Sequence, residues 1–79
     1  MEHPKYIIFK SNGLEIPVIF PPLLNHNEIK YGFFEPISAG FCCFNLLDKT
    51  VNVWGKSISL NLNSRKEDAE ILIKCFLPH

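Results

Sequence analysis

The chain has 79 residues, and its 8 lysines and arginines balance 8 aspartates and glutamates, so its formal net charge is zero. Apolar residues make up 47% of the sequence and charged residues 20%, which excludes intrinsic disorder, since disorder needs low hydrophobicity and high net charge. A chain of this length is expected to form one domain, residues 1–79, with a thin core.

The first predicted element is a β-hairpin. Residues 6–9 and 14–20 are apolar runs rich in strand-forming residues, and Asn12 and Gly13 lie between them. Asn-Gly is the strongest short-range hairpin signal because both residues tolerate a positive φ. Pro17 has no backbone N–H to donate, so the second arm is predicted to be an edge strand or to carry a bulge.

A short helix of one or two turns is predicted over residues 23–30. Asn25 has the chemistry of an N-cap, Glu28 follows at capping-box spacing, and Gly32 is placed to end the helix. So short a helix is not stable alone, and its apolar residues are expected to anchor it on the core.

Residues 37–47 are predicted to form a strand that is apolar on both faces. Such a strand is covered on both sides, either by a helix and a second layer of the same chain or by another subunit. The connector before it, residues 33–36, is rich in aromatic residues. A turn at residues 48–49 is predicted to return the chain as a partner strand over residues 50–54.

A break in the strand pattern is predicted near Gly55. Apolar residues occupy odd positions in 51–53 and even positions in 58–62, so one extra residue has to be absorbed by a β-bulge or a sharp bend. Residues 57–62 are predicted to continue as a half-buried strand. Its outward positions are expected to be Ser57, Ser59 and Asn61.

A C-terminal helix is predicted over residues 64–77. Ser64 and Glu67 have capping-box spacing, and Pro78 is expected to end the helix. Ile71 projects from the side opposite the apolar stripe; it is either an ordinary exposed isoleucine or covered by a second chain. The stripe itself consists of Ala69, Leu72, Ile73 and Phe76.

These elements predict an α+β fold. A small antiparallel β-sheet, made of the N-terminal hairpin and two or three further strands, is expected to carry a short helix and the C-terminal helix packed on it.

The cysteines and histidines do not form a pattern typical of catalysis or metal binding. Cys42, Cys43 and Cys75 are odd in number and lack Cys-x-x-Cys spacing, which favours reduced structural thiols over a disulfide scaffold. A nucleophile activated by His26 is disfavoured, because an apolar setting raises the pKa of a thiol. His26 has Lys30 at i+4, so we expect neither a metal site nor a cofactor.

Residues 55–57, Gly-Lys-Ser, match the end of a phosphate-binding loop. The full motif needs a glycine where Thr50 stands, and it needs a helix where the pattern here predicts a strand. Nucleotide hydrolysis is therefore not predicted, and the sequence favours a non-enzymatic protein over an enzyme.

The polar cluster around the single tryptophan is the candidate binding site. Tryptophan beside cations and hydroxyl groups suits a small-ligand or peptide surface, although outward strand positions are often simply polar. The residues predicted to bind a ligand or partner are Trp54, Lys56, Ser57, Ser59 and Arg65.

Self-association is also predicted. The chain is short, and its central strand is apolar on both faces, so a second copy is expected to finish the core. The predicted interface residues are Phe33, Phe34, Phe41 and Ile71.

Neither nucleic acid nor membrane is expected as a partner. The basic residues are scattered, and the one adjacent basic pair, Arg65 and Lys66, is followed by two acidic residues. The N terminus lacks the features of a secretion signal, and no apolar run approaches the ~20 residues of a membrane span. The sequence therefore predicts a soluble, cytoplasmic protein.

Several segments resemble short phage or prophage accessory proteins. They are PISAGF at 36–41, VWGKSISL at 53–60 and SRKEDA at 64–69, with IPVIF at 16–20 and LNH at 24–26. The resemblance covers most of the chain and carries over no catalytic residue. It implies a small protein that acts in the host cytoplasm by binding a host component or a small molecule.

The leading hypothesis is therefore a non-enzymatic, homo-oligomeric binding protein of phage-accessory type. It is expected to bind a host protein, and so antagonise a host system, or to sequester a small molecule. The alternative is a small-ligand receptor or minimal enzyme that uses a surface formed by Trp54, Lys56, Ser57 and Arg65.

Overall fold

The computed structural model describes residues 3–29, 32 and 34–77. Its main sheet is antiparallel, with strand order β2-β1-β3-β4, and a second, two-stranded sheet pairs β5 with β6. The predicted α+β class is confirmed. The elements are β1 (Lys5–Ser11), β2 (Leu14–Phe20), a 3₁₀ turn (His26–Glu28), β3 (Glu35–Asn45), β4 (Thr50–Trp54), β5 (Lys56–Ser57), β6 (Leu62–Asn63) and α1 (Glu67–Phe76).

The N-terminal hairpin forms as predicted. Asn12 and Gly13 have φ values of 52° and 81°, the left-handed conformation that a two-residue type I′ turn requires. Ser11 pairs with Leu14 directly beside this turn. Pro17 lies in β2, which is an edge strand, so that prediction is also confirmed.

The chain itself covers both faces of the central strand. On one face, Tyr6, Ile8 and Cys42 form a core cluster with Leu72 of the helix. On the other face, Ile7, Phe9, Phe20 and Ala39 form a second cluster, against which Leu60 and Leu62 of the β5–β6 hairpin pack. Of the two coverings considered for residues 37–47, the structure has the helix and a second layer of the same chain.

The main sheet contains one irregularity and one Asn-stabilised turn. Ile8 pairs with Ser38 and Phe9 with Pro36, so Ile37 is an extra residue in β3, as in a bulge. The strand ends at Asn45 rather than at 47, because the Asn45 side chain accepts the backbone N–H groups of residues 47 and 48, both at 3.1 Å. Leu46 and Leu47 are left exposed.

The strand pattern is interrupted at Gly55, where a break was predicted, but the strand predicted over residues 57–62 does not form. Gly55 has φ +80°, and the chain leaves the main sheet there. Strand β5 ends at Ser57, which pairs with Leu62 across a tight reversal. The reversal turns Ser57 inward to 1% exposure and Ile58 outward to 86%, the opposite of the predicted orientation.

The C-terminal helix begins later than predicted, at Glu67. The contacts of the described residues do not include a Ser64–Glu67 capping box. Instead, Asp68 Oδ2 accepts the Arg65 backbone N–H at 2.9 Å, one residue later in the chain than predicted. Ile71 is half-buried and packs into the helix-side core, so its predicted outward orientation is wrong. Pro78 lies outside the described residues.

The predicted short helix is a single 3₁₀ turn, His26–Glu28. Asn25 precedes it without capping its backbone; instead its Nδ2 donates to Glu28 Oε1 at 3.2 Å. The turn is anchored by the buried His26 and by Ile29, which packs on the second core cluster. Lys30 lies outside the described residues.

Candidate functional site

The floor of the candidate site is a row of side chains that crosses the main sheet. Lys5 of β1 pairs with Phe20 of β2 on one side and with Phe41 of β3 on the other, and Phe41 pairs with Trp54 of β4. Residues directly opposite each other in antiparallel strands point to the same face. Lys5, Phe41 and Trp54 therefore lie side by side on the face opposite the helix.

Two loops form the walls above this floor. The 3₁₀ turn contributes His26, whose ring meets the rings of Phe20 and Phe41 edge to face, with centroids 5.3 and 6.3 Å apart. Its Nε2 lies 3.1 Å from the Gly40 carbonyl oxygen and donates to it. The opposite wall is the segment from Gly55 to Ser59, which follows β4 directly.

Floor and walls enclose two adjoining cavities, which we call together the basic groove. The aromatic lobe has a volume of about 410 Å³ and the basic lobe about 590 Å³, and both are lined by Lys5 and Phe41. These volumes are in the range of small-molecule sites. The aromatic lobe is completed by His3, Pro22 and Trp54, and the basic lobe by Asn25, His26, Gly55, Lys56, Ile58 and Ser59.

The aromatic rings of the groove are in contact with one another. Phe41 and Trp54 are stacked, with centroids 6.2 Å apart and ring planes 22° from parallel. His3 meets Trp54 edge to face at 5.0 Å. Trp54 is nevertheless 38% exposed, so part of its ring is open to a ligand.

The charge of the groove is one-sided. Lys5 and Lys56 line it, and none of the described lining residues is an aspartate or glutamate. Lys5 Nζ donates to the Leu24 carbonyl at 2.9 Å and lies 6.0 Å from the Phe41 ring centroid. Within the part of the chain that the structure describes, neither lysine has a salt bridge.

Two glycines allow the chain to close around the site. A Cβ at Gly55 would lie 2.9 Å from Phe41 Cδ2, and the φ of +80° also favours glycine. A Cβ at Gly40 would lie 2.5 Å from the Trp54 carbonyl oxygen. Residues 54–55 can therefore pass directly against β3 only because glycine stands at both positions.

The structure brings together three of the five predicted binding residues. Trp54, Lys56 and Ser59 line the groove, whereas Ser57 is buried behind it. The Ser57 hydroxyl accepts the Leu60 backbone N–H at 3.1 Å, so it stabilises the β5–β6 turn.

Arg65, the fifth predicted binding residue, lines neither lobe and lies in a polar network beside the helix. Its guanidinium contacts Asp68 Oδ1 at 2.8 Å and Glu15 Oε1 at 2.6 Å. The Tyr6 hydroxyl donates to the other Asp68 oxygen at 2.6 Å. The network joins β1, β2 and α1, and the structure thus gives Arg65 a stabilising contact instead of a place in the groove.

Burial and the neighbouring charges shift the pKa values of this network. Burial, together with the hydrogen bond to Asp68, holds the pKa of Tyr6 well above its usual 10.0. Burial alone would lower the pKa of Arg65, but its hydrogen bonds to Glu15 and Asp68 outweigh that effect and raise it. Tyr6 is thus neutral and Arg65 charged around neutral pH.

The residues predicted for an oligomer interface do not lie on one surface. Phe34 packs against the second core cluster, and Phe41 lies in the groove on the same side of the sheet. Ile71 packs on the opposite, helix side. Phe33 lies outside the described residues, and self-association stays a prediction.

The sequence does not predict eight of the residues that line the groove as binding residues: His3, Lys5, Pro22, Asn25, His26, Phe41, Gly55 and Ile58. Lys5 joins Trp54 only through the register of β1 with β3 and of β3 with β4. A local sequence pattern does not predict which strands pair or in which register. Pro21 and Pro22 are a local signal, because they follow the end of β2 at Phe20 and Pro22 lines the groove.

Among the contacts of the described residues, none joins a cysteine thiol to His26. Cys42 is on the helix side of the sheet, and burial raises the pKa of its thiol to about 11. Cys43 is half-buried and Cys75 exposed. In the described ranges, no three histidine, cysteine or acidic side chains are grouped as metal ligands would be. None of the described helices has the length and apolar character that a membrane span requires.

Comparisons with protein-family models, with curated proteins and with solved structures give no match for this chain. The resemblance to phage accessory proteins stays a prediction.

Proposed function

We propose that this protein is a non-enzymatic binding protein that holds a small anionic molecule in the basic groove. The observation that carries the proposal is the one-sided charge of that groove: two lysines and no carboxylate among its described lining residues. Anions are attracted to such a site because no acidic side chain there neutralises the lysines.

Binding rather than catalysis is favoured by the positions of the reactive side chains. Burial lowers the pKa of His26, and its Nε2 proton is engaged by the Gly40 carbonyl. The most deeply buried thiol, Cys42, is on the other face of the sheet with a raised pKa. A nucleophile and its base need to lie within hydrogen-bond reach of each other. The groove offers no such pair among the contacts described for it.

An NMR titration with pyrophosphate tests the proposal. We expect the backbone amides of Lys5, Lys56 and Ser59 to shift, because these residues surround the space where an anion would lie. Lys56→Gln should weaken binding several-fold. Lys10→Gln makes the same charge change on an exposed part of β1 outside the groove and should leave binding unchanged. Absence of shifts at the groove, or equal losses in both variants, would contradict the proposal.

A second proposed property is pairing of two copies through β4, for which the two sheet edges provide the support. Edge strand β2 contains Pro17 and the charged Glu15, features that protect an edge from pairing. Edge strand β4, Thr-Val-Asn-Val-Trp, contains neither a proline nor a charged residue. The resemblance to phage accessory proteins implies that such an assembly would act in the host cytoplasm by sequestering a small molecule or a host protein.

A further inference from the structure

We infer that the ligand of the basic groove is a planar aromatic ring joined to a phosphate group, as in a nucleoside monophosphate. The inference rests on the proposed function and specifies its ligand. It comes from the division of the groove into an aromatic lobe and a basic lobe that share Lys5 and Phe41.

The aromatic lobe suits a planar ring. Trp54 is held by stacking on its cross-strand neighbour Phe41 and by the edge-to-face contact with His3, so its position does not have to be ordered on binding. Its exposed fraction is 38%, which leaves part of the ring open to a ligand. Proteins hold nucleic-acid bases by stacking them on exposed aromatic side chains of this kind.

The basic lobe suits the anionic group. Lys5 lines both lobes, so a phosphate beside it would be adjacent to a ring on Trp54. Lys5 Nζ gives one hydrogen bond to the Leu24 carbonyl, which holds the ammonium group in place and leaves two of its three protons for a ligand. Lys56 adds a further donor on the opposite wall, beside the Ser59 hydroxyl, which shares a hydrogen bond of 3.3 Å with the Ser57 hydroxyl.

Lys5 also connects the two lobes electrostatically. Its Nζ is 6.0 Å from the centroid of the Phe41 ring, and that ring is stacked on Trp54. The cation and the aromatic floor are thus adjacent parts of one surface. A ligand that carries both a ring and an anion gains both contacts at once, whereas a ligand with only one of them fills half of the groove.

The test compares four probes: adenosine 5′-monophosphate, adenosine, ribose 5-phosphate and 4-hydroxybenzoate. Because Trp54 is the single tryptophan of the chain, its fluorescence reports directly on the aromatic lobe. We expect the monophosphate to quench it and to bind at least ~10-fold more tightly than adenosine or ribose 5-phosphate, since one base stack or one charge contact contributes that order of affinity. The benzoate, a ring with a carboxylate, should bind more weakly than the monophosphate.

Two variants locate the contacts. Trp54→Leu, measured by calorimetry, should bring the affinity for the monophosphate down to that for ribose 5-phosphate. Lys56→Gln should lower the affinity for the monophosphate toward the affinity for adenosine, while Lys10→Gln should leave the affinity for the monophosphate unchanged.

The outcomes separate the two proposals. Equal binding of ribose 5-phosphate and the monophosphate would overturn this inference and leave an anion site. Equal binding of adenosine and the monophosphate would overturn the proposed function, because the lysines would then contribute nothing. Tighter binding of the benzoate than of the monophosphate would contradict the assignment of a phosphate group and would identify an aromatic carboxylate as the ligand.

Discussion

The buried carboxylate of Asp68 is surrounded by donors from two parts of the chain. The Tyr6 hydroxyl and the Arg65 backbone N–H lie 2.6 and 2.9 Å from Oδ2, and the Arg65 guanidinium contacts Oδ1. A buried charge without partners costs several kcal/mol, but a carboxylate with donors on both oxygens is well compensated. The network therefore fixes the start of the helix against β1 and β2.

Replacing Tyr6 by phenylalanine tests this network. Tyr6→Phe keeps the ring in the core but removes one donor from Asp68, so the free energy of unfolding should fall by about 1–2 kcal/mol. Glu15→Gln weakens only the outer ion pair, where both side chains are about one-third exposed, and should cost less than about 1 kcal/mol. Urea denaturation measures both. Equal effects of the two variants would contradict a central role for the buried carboxylate.

His26 makes the stability of the protein depend on pH. Burial lowers its pKa below the usual 6.5; the hydrogen bond to the Gly40 carbonyl opposes this shift, and the charge of Lys5 adds to it. The unfolded chain therefore binds a proton at a higher pH than the folded protein does. The stabilisation due to neutral His26 is present above pH 6.5 and is lost as the pH falls through its folded-state pKa.

We expect urea midpoints to fall between pH 7 and pH 5, and His26→Gln to reduce that slope. His3→Gln, at an exposed position, provides the matched control and should keep the slope of the natural protein. If His26→Gln and the natural protein have the same slope, the buried imidazole is not the group responsible.

At the scale of the elements, Gly13 and Gly55 have the same backbone conformation but different surroundings. Substitutions at the two positions therefore distinguish the cost of backbone strain from the cost of crowding. Gly13 and Gly55 have φ values of +81° and +80°, but a Cβ at Gly13 would meet no atom within 4 Å, whereas one at Gly55 would lie 2.9 Å from Phe41. Gly13→Ala should cost about 1–2 kcal/mol for the left-handed conformation alone. Gly55→Ala should cost about 1–3 kcal/mol more, because the ring has to move.

Thermal or urea unfolding measures both substitutions, and Trp54 fluorescence adds a second readout. Gly55→Ala displaces Phe41, on which Trp54 stacks, so the emission of the folded protein should change. Gly13→Ala should leave that emission unchanged. Equal losses of stability in both variants would contradict the contact between Gly55 and Phe41.

The elements that the sequence predicts well are those with local signals. Asn12-Gly13 fixes the first hairpin through its own backbone preferences, and the spacing of Leu72 and Ile73 marks one face of the helix. The sequence predicts one strand over residues 57–62, because apolar and polar residues alternate there. The structure has the β5–β6 hairpin instead, since the chain reverses before Leu62, where Asn61 has a φ of 57°. The helix start was misplaced because Asp68 is held by Tyr6, 62 residues away.

At the scale of the whole molecule, the candidate site depends on the order of the strands. Trp54, Lys56 and Ser59 are close together in sequence and were predicted as one cluster. Lys5 and Phe41 join them because β3 lies between β1 and β4, an arrangement that pairing over long distances determines. Arg65, four-fifths of the way along the chain, was assigned to the same cluster from sequence proximity, but it contacts Glu15 and Asp68.

Light scattering as a function of concentration tests the pairing of two copies through β4. We expect the mass to rise from the 9.1 kDa of one chain toward twice that value. Asn52 is at the centre of β4, so in a symmetric antiparallel pair it would lie opposite its own copy, and Asn52→Lys should prevent pairing by placing like charges together.

Leu14→Lys adds the same charge at the other edge, on β2, and should not affect the mass. A mass of one chain at every concentration, or equal effects of the two lysine variants, would contradict pairing through β4.

The position of Lys5, Phe41 and Trp54 on three hydrogen-bonded strands has a consequence for how a ligand would enter and leave. Moving any of these residues apart requires breaking the ladder of the main sheet. The segments at 21–29 and 55–59 lie outside that sheet and contain only one 3₁₀ turn and a two-residue strand, so they move more easily. Lys5, Phe41 and Trp54 would then form the fixed part of the site, and movement of the two segments would set the rates at which a ligand enters and leaves. Lys56 and Ser59 line the groove, but substitutions at positions of the two segments that do not line it would alter residence time without altering which chemical groups are recognised.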